Sequence, residues 1–188
     1  MKFTIGDWTD RDQCVALQDE SLHCSDAFTH FRALATVAIS AGQDPWRSYR
    51  TRQAYSAFIH HLYEFMRGAH AREALNTKTT NKKLTRSERA KLDEAYISHH
   101  TQRLLTNRRV AIQNGTAPVW ENDISYYPEK IPQEFAKTFR EYRNNHAHVT
   151  HERSKLNPAE FYEKYHKYLF LLLQDALWWS PRDNESTL

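Results

Sequence analysis

The side chains best suited to chemistry lie in one stretch of the sequence, FREYRNNHAHVTHERS at 139–154. Arginine keeps its positive charge and presents a planar fork of donors that fits phosphate oxygens, whereas histidine exchanges a proton near neutral pH. Cleaving RNA without a metal needs a base for the 2′-OH, an acid for the leaving 5′-oxygen and a cation for the phosphorane. The stretch contains residue types that fit this chemistry, because His148 can transfer protons, Arg143 can bind the phosphate, and Asn144 can orient one of the two or hold a phosphate oxygen.

The rest of the sequence predicts that α-helices position these residues. The chain has only four glycines and six prolines, most of them where a helix is expected to end. Thr85 and Glu88 form a capping-box pattern, and apolar residues between 55 and 69 follow the 3.6-residue helical period. The expected helices cover about 9–42 (a break near 21–25 stays open), 49–75, 85–114, 132 through the stretch above, and 157–180. We predict a single all-α domain, a bundle of about five helices, with a basic connector at 76–91 and a proline-containing loop at 115–132.

The helical period also sorts the residues of the fourth helix by face. At 100° per residue, one stripe collects Phe135, Phe139, Tyr142 and His146, and we expect it to face the core. His146 is therefore interpreted as a packed, hydrogen-bonded core histidine. Arg143 lies on the flank of the stripe and His148 away from it, about 140° from Arg143. Packing requires neither of these two side chains, so both are available for another role or for solvent.

At this point the sequence resembles a known family. The segment RNNHAH, Arg143 to His148, has the Arg-x4-His pattern with asparagine directly after the arginine. The bare Arg–His pair is expected about once by chance in a chain of this composition, and the version with asparagine about 0.05 times. The segment therefore resembles the signature of the HEPN superfamily, and the helical layout around it is similar too.

The resemblance implies a fold, an activity and an assembly. HEPN domains are α-helical bundles, and many are metal-independent endoribonucleases found as toxins, in CRISPR-linked effectors and in phage defence. The implied catalytic residues are Arg143, Asn144 and His148, with no metal and no cofactor. Two copies face each other in the family, which implies a homodimer here and answers the divergence of Arg143 and His148 on one helix. Glu64 on the second helix is a candidate supporting residue, although plain exposure is its simpler interpretation. An antitoxin or regulatory partner is implied as well.

The chain departs from one branch of the family and leaves alternatives open. Toxins of one type carry tyrosine two residues after the histidine, where this chain has Thr150, so control by modification of that tyrosine is not implied. His148 and His151 have the spacing of two metal ligands, but no third ligand has an evident place. The stretch also fits a solvated basic face, or a helical module that binds RNA, nucleotide or a partner protein without cutting.

Basic residues outside the stretch are candidates for contact with RNA. Residues 72–91 carry an excess of positive charge, which favours a polyanion or an acidic partner, although such runs are usually just solvated. Arg108 and Arg109 extend the basic character along the third helix. The candidate RNA-binding residues are Lys82, Lys83, Arg86, Arg108 and Arg109.

Composition limits the compartment and the class of protein. The net charge is only +3, so charge alone predicts no partner. Cys14 and Cys24 fall on one predicted helix, about 15 Å apart, which excludes a disulfide and favours a reducing, cytoplasmic setting. No signal peptide is expected in MKFTIGDWTD, and no apolar run is long enough to span a membrane.

Overall fold

The protein is an all-α bundle of five helices, as the sequence predicted. The structure, a computed structural model, describes residues 1–42, 44–77, 84–147 and 157–180. Within these residues it contains no β-strand, only one isolated bridge between Lys2 and Asn76. The helices are α1 (Trp8–Ser40), α2 (Pro45–Glu73), α3 (Arg86–Gln113), α4 (Phe135–Ala147) and α5 (Pro158–Leu177), with two 3₁₀ turns at Val119–Glu121 and Ile124–Tyr126.

Side-chain caps set where the helices begin. The Asp7 carboxylate accepts the backbone N–H of Asp10 at the start of α1, and Asp44 and Asn157 do the same for α2 and α5, each followed by proline. Thr85 and Glu88 form both halves of the predicted capping box, which confirms that interpretation. Each such cap stabilises a helix by about 1 kcal/mol because it satisfies amide groups that have no partner inside the helix.

Helix α1 is continuous, so the break left open near 21–25 does not occur. Ser21 and Cys24 are fully buried, and the Ser21 hydroxyl donates to the Gln18 carbonyl oxygen at 2.7 Å. It also contacts the Ser180 hydroxyl at 2.9 Å. The polar groups that suggested a break are therefore satisfied inside the helix and against the end of the chain. Both cysteines are free thiols.

Helix α2 lies at the centre of the bundle and contacts the other four helices. Its residues Phe58, Ile59, Leu62 and Met66 have no exposed surface. On its other side Gly68 lets α1 approach closely, since a Cβ there would lie 3.0 Å from Leu17 Cδ2. Burial of these large apolar side chains contributes about 1.5–3 kcal/mol each and fixes α2 as the support of any site beside it.

The predicted face of α4 is confirmed. Phe135, Phe139 and Tyr142 of α4 are buried. Helix α5 also buries one face, formed by Phe161, Tyr165, Tyr168, Leu169, Leu172 and Ala176. At the end of the bundle Trp179 packs against the core, whereas Trp178 is 73% exposed, because it lies just past the last turn of α5.

The two predicted connections differ from expectation in detail. Helix α3 begins at Arg86, so 86–91 of the predicted connector is helical, because the Thr85 cap starts the helix there. The proline-containing loop is ordered by a buried network in which Arg108 of α3 pairs with Glu121, while Gln174 of α5 bonds to both. No helix in the described ranges is long and apolar enough to span a membrane.

Candidate functional site

A cleft opens where α2, the first turns of α3 and the second half of α4 meet. Its volume is about 690 Å³. It is lined by Tyr63, Arg67, Arg86, Ser87, Arg89, Ala90, Asp93, Arg140, Arg143 and Asn144. Five of these ten residues are arginines, and we call this site the arginine cleft. Such a concentration of guanidinium groups favours an anionic ligand.

Arg143 is held in the arginine cleft by three groups. Its Nη2 donates to the Glu64 carboxylate of α2, and its Nη1 donates to Asn144 Oδ1 at 3.0 Å. Its guanidinium carbon lies 5.8 Å from the centre of the Tyr63 ring, whose pKa burial raises to about 12. The Arg143 and Glu64 side chains are only 20% and 28% exposed. Glu64 is therefore a partner of the motif arginine, and the expectation of plain exposure was wrong because the α2–α4 contact covers it.

Carboxylates neutralise the inner part of the arginine cleft. Arg67 lies 3.1 Å from Glu64 and 3.5 Å from Asp93. Arg140 donates to Glu94 at 2.6 Å. These pairs hold the guanidinium groups of α2 and α4 in place despite their mutual repulsion. The inner wall is thus rigid and close to charge balance.

The outer wall, at the start of α3, keeps its charge. Arg86 is exposed and Arg89 half-buried, and neither forms an ion pair with any residue that the structure describes. Arg86 was a sequence candidate for RNA contact, and the structure brings it to the same cleft as Arg143 and Asn144. A phosphate entering the cleft meets these two free charges first.

Asp93 links the arginine cleft to a stack of rings behind it. Its carboxylate accepts from His70 Nδ1 at 2.9 Å as well as contacting Arg67. The His70 ring stacks on Tyr96 with centroids 4.5 Å apart, and Tyr96 stacks on His100 at 5.6 Å. His100 in turn contacts Asp175 of α5 at 2.9 Å. The stack ties three helices together behind the cleft.

A further histidine, His60, lies next to the arginine cleft. It precedes Glu64 by one turn of α2 and so lies on nearly the same face. Burial, and to a smaller extent the Arg143 charge, lowers the pKa of His60 from its usual value. The sequence left this residue unassigned, although its four-residue spacing from Glu64 was a signal for it. The lowered pKa favours the neutral form of its imidazole.

The structure describes His146 of the motif but not His148. His146 is half-buried, and its ring packs on Tyr142 with centroids 4.5 Å apart, which agrees with its predicted place on the apolar stripe. His148 lies outside the described residues, as do His151, Lys82 and Lys83. Their predicted roles stay predictions.

Arg108 and Arg109 are not brought to the arginine cleft. They lie 22 residues along α3 from Arg86, about 33 Å away at the helical rise. Arg108 forms an ion pair with Glu121 and a hydrogen bond to Gln174, and Arg109 donates to the Tyr127 carbonyl oxygen. Both side chains hold the proline-containing loop, so the structure gives each of them a folding role.

The sequence did not assign Arg89 or Arg140 to this cleft. A signal existed for Arg140, which precedes Arg143 by three residues and therefore shares its helix flank. The same three-residue spacing joins Arg67 to Glu64 on α2. No such signal joined Arg89 to the motif, because helix packing alone brings it there. No group of three metal-ligating side chains occurs among the described residues.

The comparisons with known proteins leave the family open. No model of a known protein family matches the sequence, and neither curated proteins nor solved structures give a significant match. The resemblance in RNNHAH and the geometry of the arginine cleft are therefore the grounds for a functional proposal.

Proposed function

We propose that the protein is a metal-independent endoribonuclease of the HEPN type. The observation that carries the proposal is that Arg143 and Asn144, two of the three residues implied to be catalytic, line a cleft with four further arginines. Guanidinium forks bind phosphate oxygens in bidentate fashion. Several guanidinium groups in one cleft favour the backbone of a nucleic acid as the ligand over a single small anion.

Each motif residue has a role in transesterification. The 2′-oxygen of RNA attacks the adjacent phosphorus, its proton passes to a base, and the bond to the 5′-oxygen breaks as that oxygen gains a proton. The products are a 2′,3′-cyclic phosphate and a 5′-hydroxyl. His148 transfers protons, Arg143 stabilises the charge on the phosphorane, and Asn144 orients the phosphate or its partners. Glu64 is a positioning residue, since it fixes the Arg143 guanidinium.

The proposal includes a homodimer. Arg143 and His148 diverge by about 140° on an ideal helix, whereas both must reach one scissile phosphate. Two facing copies solve this, because the arginine of one copy then serves a cleft shared with the histidine of the other. A role in phage or plasmid defence or as a toxin, with an antitoxin or regulatory partner, follows from the family resemblance alone, whereas a cytoplasmic setting follows from the two cysteines, which do not pair.

A second function is a helical module that binds RNA without cutting it. The described part of the arginine cleft favours it, because the residues that line this part are binding groups and include no histidine. The two functions share the ligand and differ in the role of His148.

The test is incubation of the purified protein with tRNA and with total RNA in EDTA. We expect cleavage that survives chelation and leaves 2′,3′-cyclic phosphate ends, and we expect Arg143→Ala to abolish it. Arg50→Ala is the matched control, since Arg50 is exposed on α2 and does not line the cleft. Binding without cleavage would select the second function, and cleavage that needs added zinc or manganese would refute the Arg–His mechanism.

A further inference from the structure

A second cavity, unconnected with the arginine cleft, lies between the proline-containing loop and α5. Its volume is about 480 Å³, and it shares no lining residue with the arginine cleft. Rings form most of its wall, from Trp120, Tyr126, His166 and Phe170, and Asn122 and Asp123 add polar groups. We call it the aromatic pocket. Its volume is within the usual range for small-molecule sites.

The aromatic pocket is held by buried contacts. Glu121, next to Trp120, is 9% exposed and bonds to Arg108 and Gln174. Asp123 accepts from both the backbone amide and the hydroxyl of Ser125 through its Oδ1. The loop is therefore fixed directly after Trp120, yet the Trp120 side chain is 83% exposed. A large ring held in solvent by an anchored loop is preorganised for stacking.

The charged groups already present, Lys167 and Asp123, favour an uncharged ligand. Lys167 Nζ lies 4.7 Å from the Tyr126 ring centre and donates to the Tyr126 carbonyl oxygen at 3.1 Å. The Tyr126 ring therefore already has a cation–π partner. An added anion would face the Asp123 carboxylate, whose pKa is lowered by the Ser125 hydrogen bonds. A flat, uncharged heterocycle is the ligand that fits best, because it stacks on the rings and is repelled by neither Lys167 nor Asp123.

Two polar atoms of the pocket are placed to form hydrogen bonds with the edge of this heterocycle. Asp123 Oδ2 has no hydrogen-bond partner among the residues described, and it can accept from an amino group. The His166 ring bonds through Nδ1 to the Tyr55 hydroxyl at 3.2 Å. Its Nε2 has no hydrogen-bond partner in the described part of the chain and is not fully buried. The pocket thus offers a stacking ring, a carboxylate oxygen and an imidazole nitrogen.

We propose that the aromatic pocket binds a nucleobase that carries an exocyclic amino group, stacked on Trp120 and hydrogen-bonded to Asp123. Single-stranded nucleic acids are bound in this way, by aromatic stacking combined with contacts to the base edge. The proposal goes beyond cleavage, since it assigns a base site that needs neither Arg143 nor His148. The base belongs either to an RNA strand or to a free nucleoside or nucleotide.

The first experiment uses nucleosides, which lack the phosphate that the arginine cleft would bind. Saturation-transfer NMR is recorded with adenosine, guanosine, cytidine and uridine, and with ribose as the baseless control. We expect transfer to the base protons of the first three, weaker transfer to uridine and none to ribose. Trp120→Ala should weaken binding about tenfold, and Trp120→Phe should restore most of it. Trp8→Ala is the matched control, because Trp8 is 79% exposed outside the pocket.

The second experiment distinguishes the two sources of the base. A 2′-O-methyl tetranucleotide, which cannot be cleaved by 2′-oxygen attack, carries 2-aminopurine as its fluorescent base. Binding of the tetranucleotide that is tighter than that of the free nucleoside, that Trp120→Ala weakens and that Arg143→Ala leaves tighter assigns the pocket to RNA, and equal affinity in the Arg143→Ala protein assigns it to a free ligand. Binding that survives Arg143→Ala separates the base site from the proposed cleavage. The proposal is overturned if no nucleoside binds, if uridine binds as well as guanosine, or if Trp120→Ala and Trp8→Ala behave alike.

Discussion

We expect replacement of Glu64 by glutamine to lower stability and, if the protein binds RNA as proposed, to raise its affinity for RNA. Glu64 accepts charge-assisted hydrogen bonds from Arg143 and, at 3.1 Å, from Arg67. A hydrogen bond to a charged group contributes about 1.5–3 kcal/mol net. The bond to Arg143 is well covered, whereas Arg67 is 37% exposed and its share is screened. Because glutamine still accepts one bond, we expect Glu64→Gln to lower the free energy of unfolding by about 1–3 kcal/mol.

The same substitution removes one negative charge from the arginine cleft. We therefore expect the affinity for RNA to rise a few-fold at low salt, with a gain that shrinks as salt screens the charges. Cleavage should fall, because the Arg143 guanidinium loses the carboxylate that orients it. A positioning role thus predicts tighter binding together with slower turnover, a combination that a general loss of folding does not produce.

The measurements are urea unfolding, fluorescence anisotropy with RNA at two salt concentrations, and the cleavage assay in EDTA. In a domain of this size about 1–3 kcal/mol corresponds to a fall in Tm of about 2–12 °C. Glu129→Gln is the matched control. Glu129 is 84% exposed, 3.9 Å from Arg109, so its loss should cost less than about 1 kcal/mol. If Glu64→Gln unfolds, binds and cleaves like the unaltered protein, the Glu64–Arg143 pair has no positioning role.

Three further predictions concern the motif histidines, the dimer and pH. His148→Ala should abolish cleavage with Tm nearly unchanged, whereas His146→Ala should destabilise the fold by about 1–3 kcal/mol; reversed phenotypes in cleavage and melting assays would refute the assignment of faces on α4. The protein should sediment as a dimer, and mixing inactive Arg143→Ala and His148→Ala chains should restore part of the activity, while a fully active monomer would remove the geometric argument. Burial lowers the pKa of His166 to about 4, so the unfolded chain takes up this proton below about pH 6.5 and the folded chain does not. Stability should therefore fall between about pH 6.5 and 4, by up to about 3 kcal/mol, and urea unfolding should show a flatter pH dependence for His166→Phe.

The fold could be predicted from the sequence because local chemistry determines most of it. The Thr85–Glu88 capping box, the proline after Asn157 and the apolar period of α2 each act within a few residues. The predicted start of α2 at about 49 was wrong, because the Asp44 cap begins the helix at Pro45. The break left open in α1 depends on a distant partner. Ser21 suggested a break in α1, but its hydroxyl contacts Ser180 from the other end of the chain.

The candidate site could be predicted only in part, for the same physical reason. Arg143 and Asn144 are neighbours in sequence, and their residue types indicated the chemistry. Glu64 is 79 residues from Arg143, and only the packing of α2 on α4 brings the two together. Arg86 was chosen for its charge and happens to face the same cleft. Charge identifies candidates, but helix packing decides which of them share a ligand.

The ring stack behind the arginine cleft gives the protein a built-in spectroscopic reporter. Tyr96 lies between the His70 and His100 imidazoles, so ring currents from both sides displace the resonances of its aromatic protons. Asp93 holds both His70 and Arg67. An anion that draws Arg67 away from Asp93 also alters the His70 contact and hence the tilt of its ring over Tyr96. We therefore expect the chemical shifts of this one tyrosine to report an anion that binds in the arginine cleft.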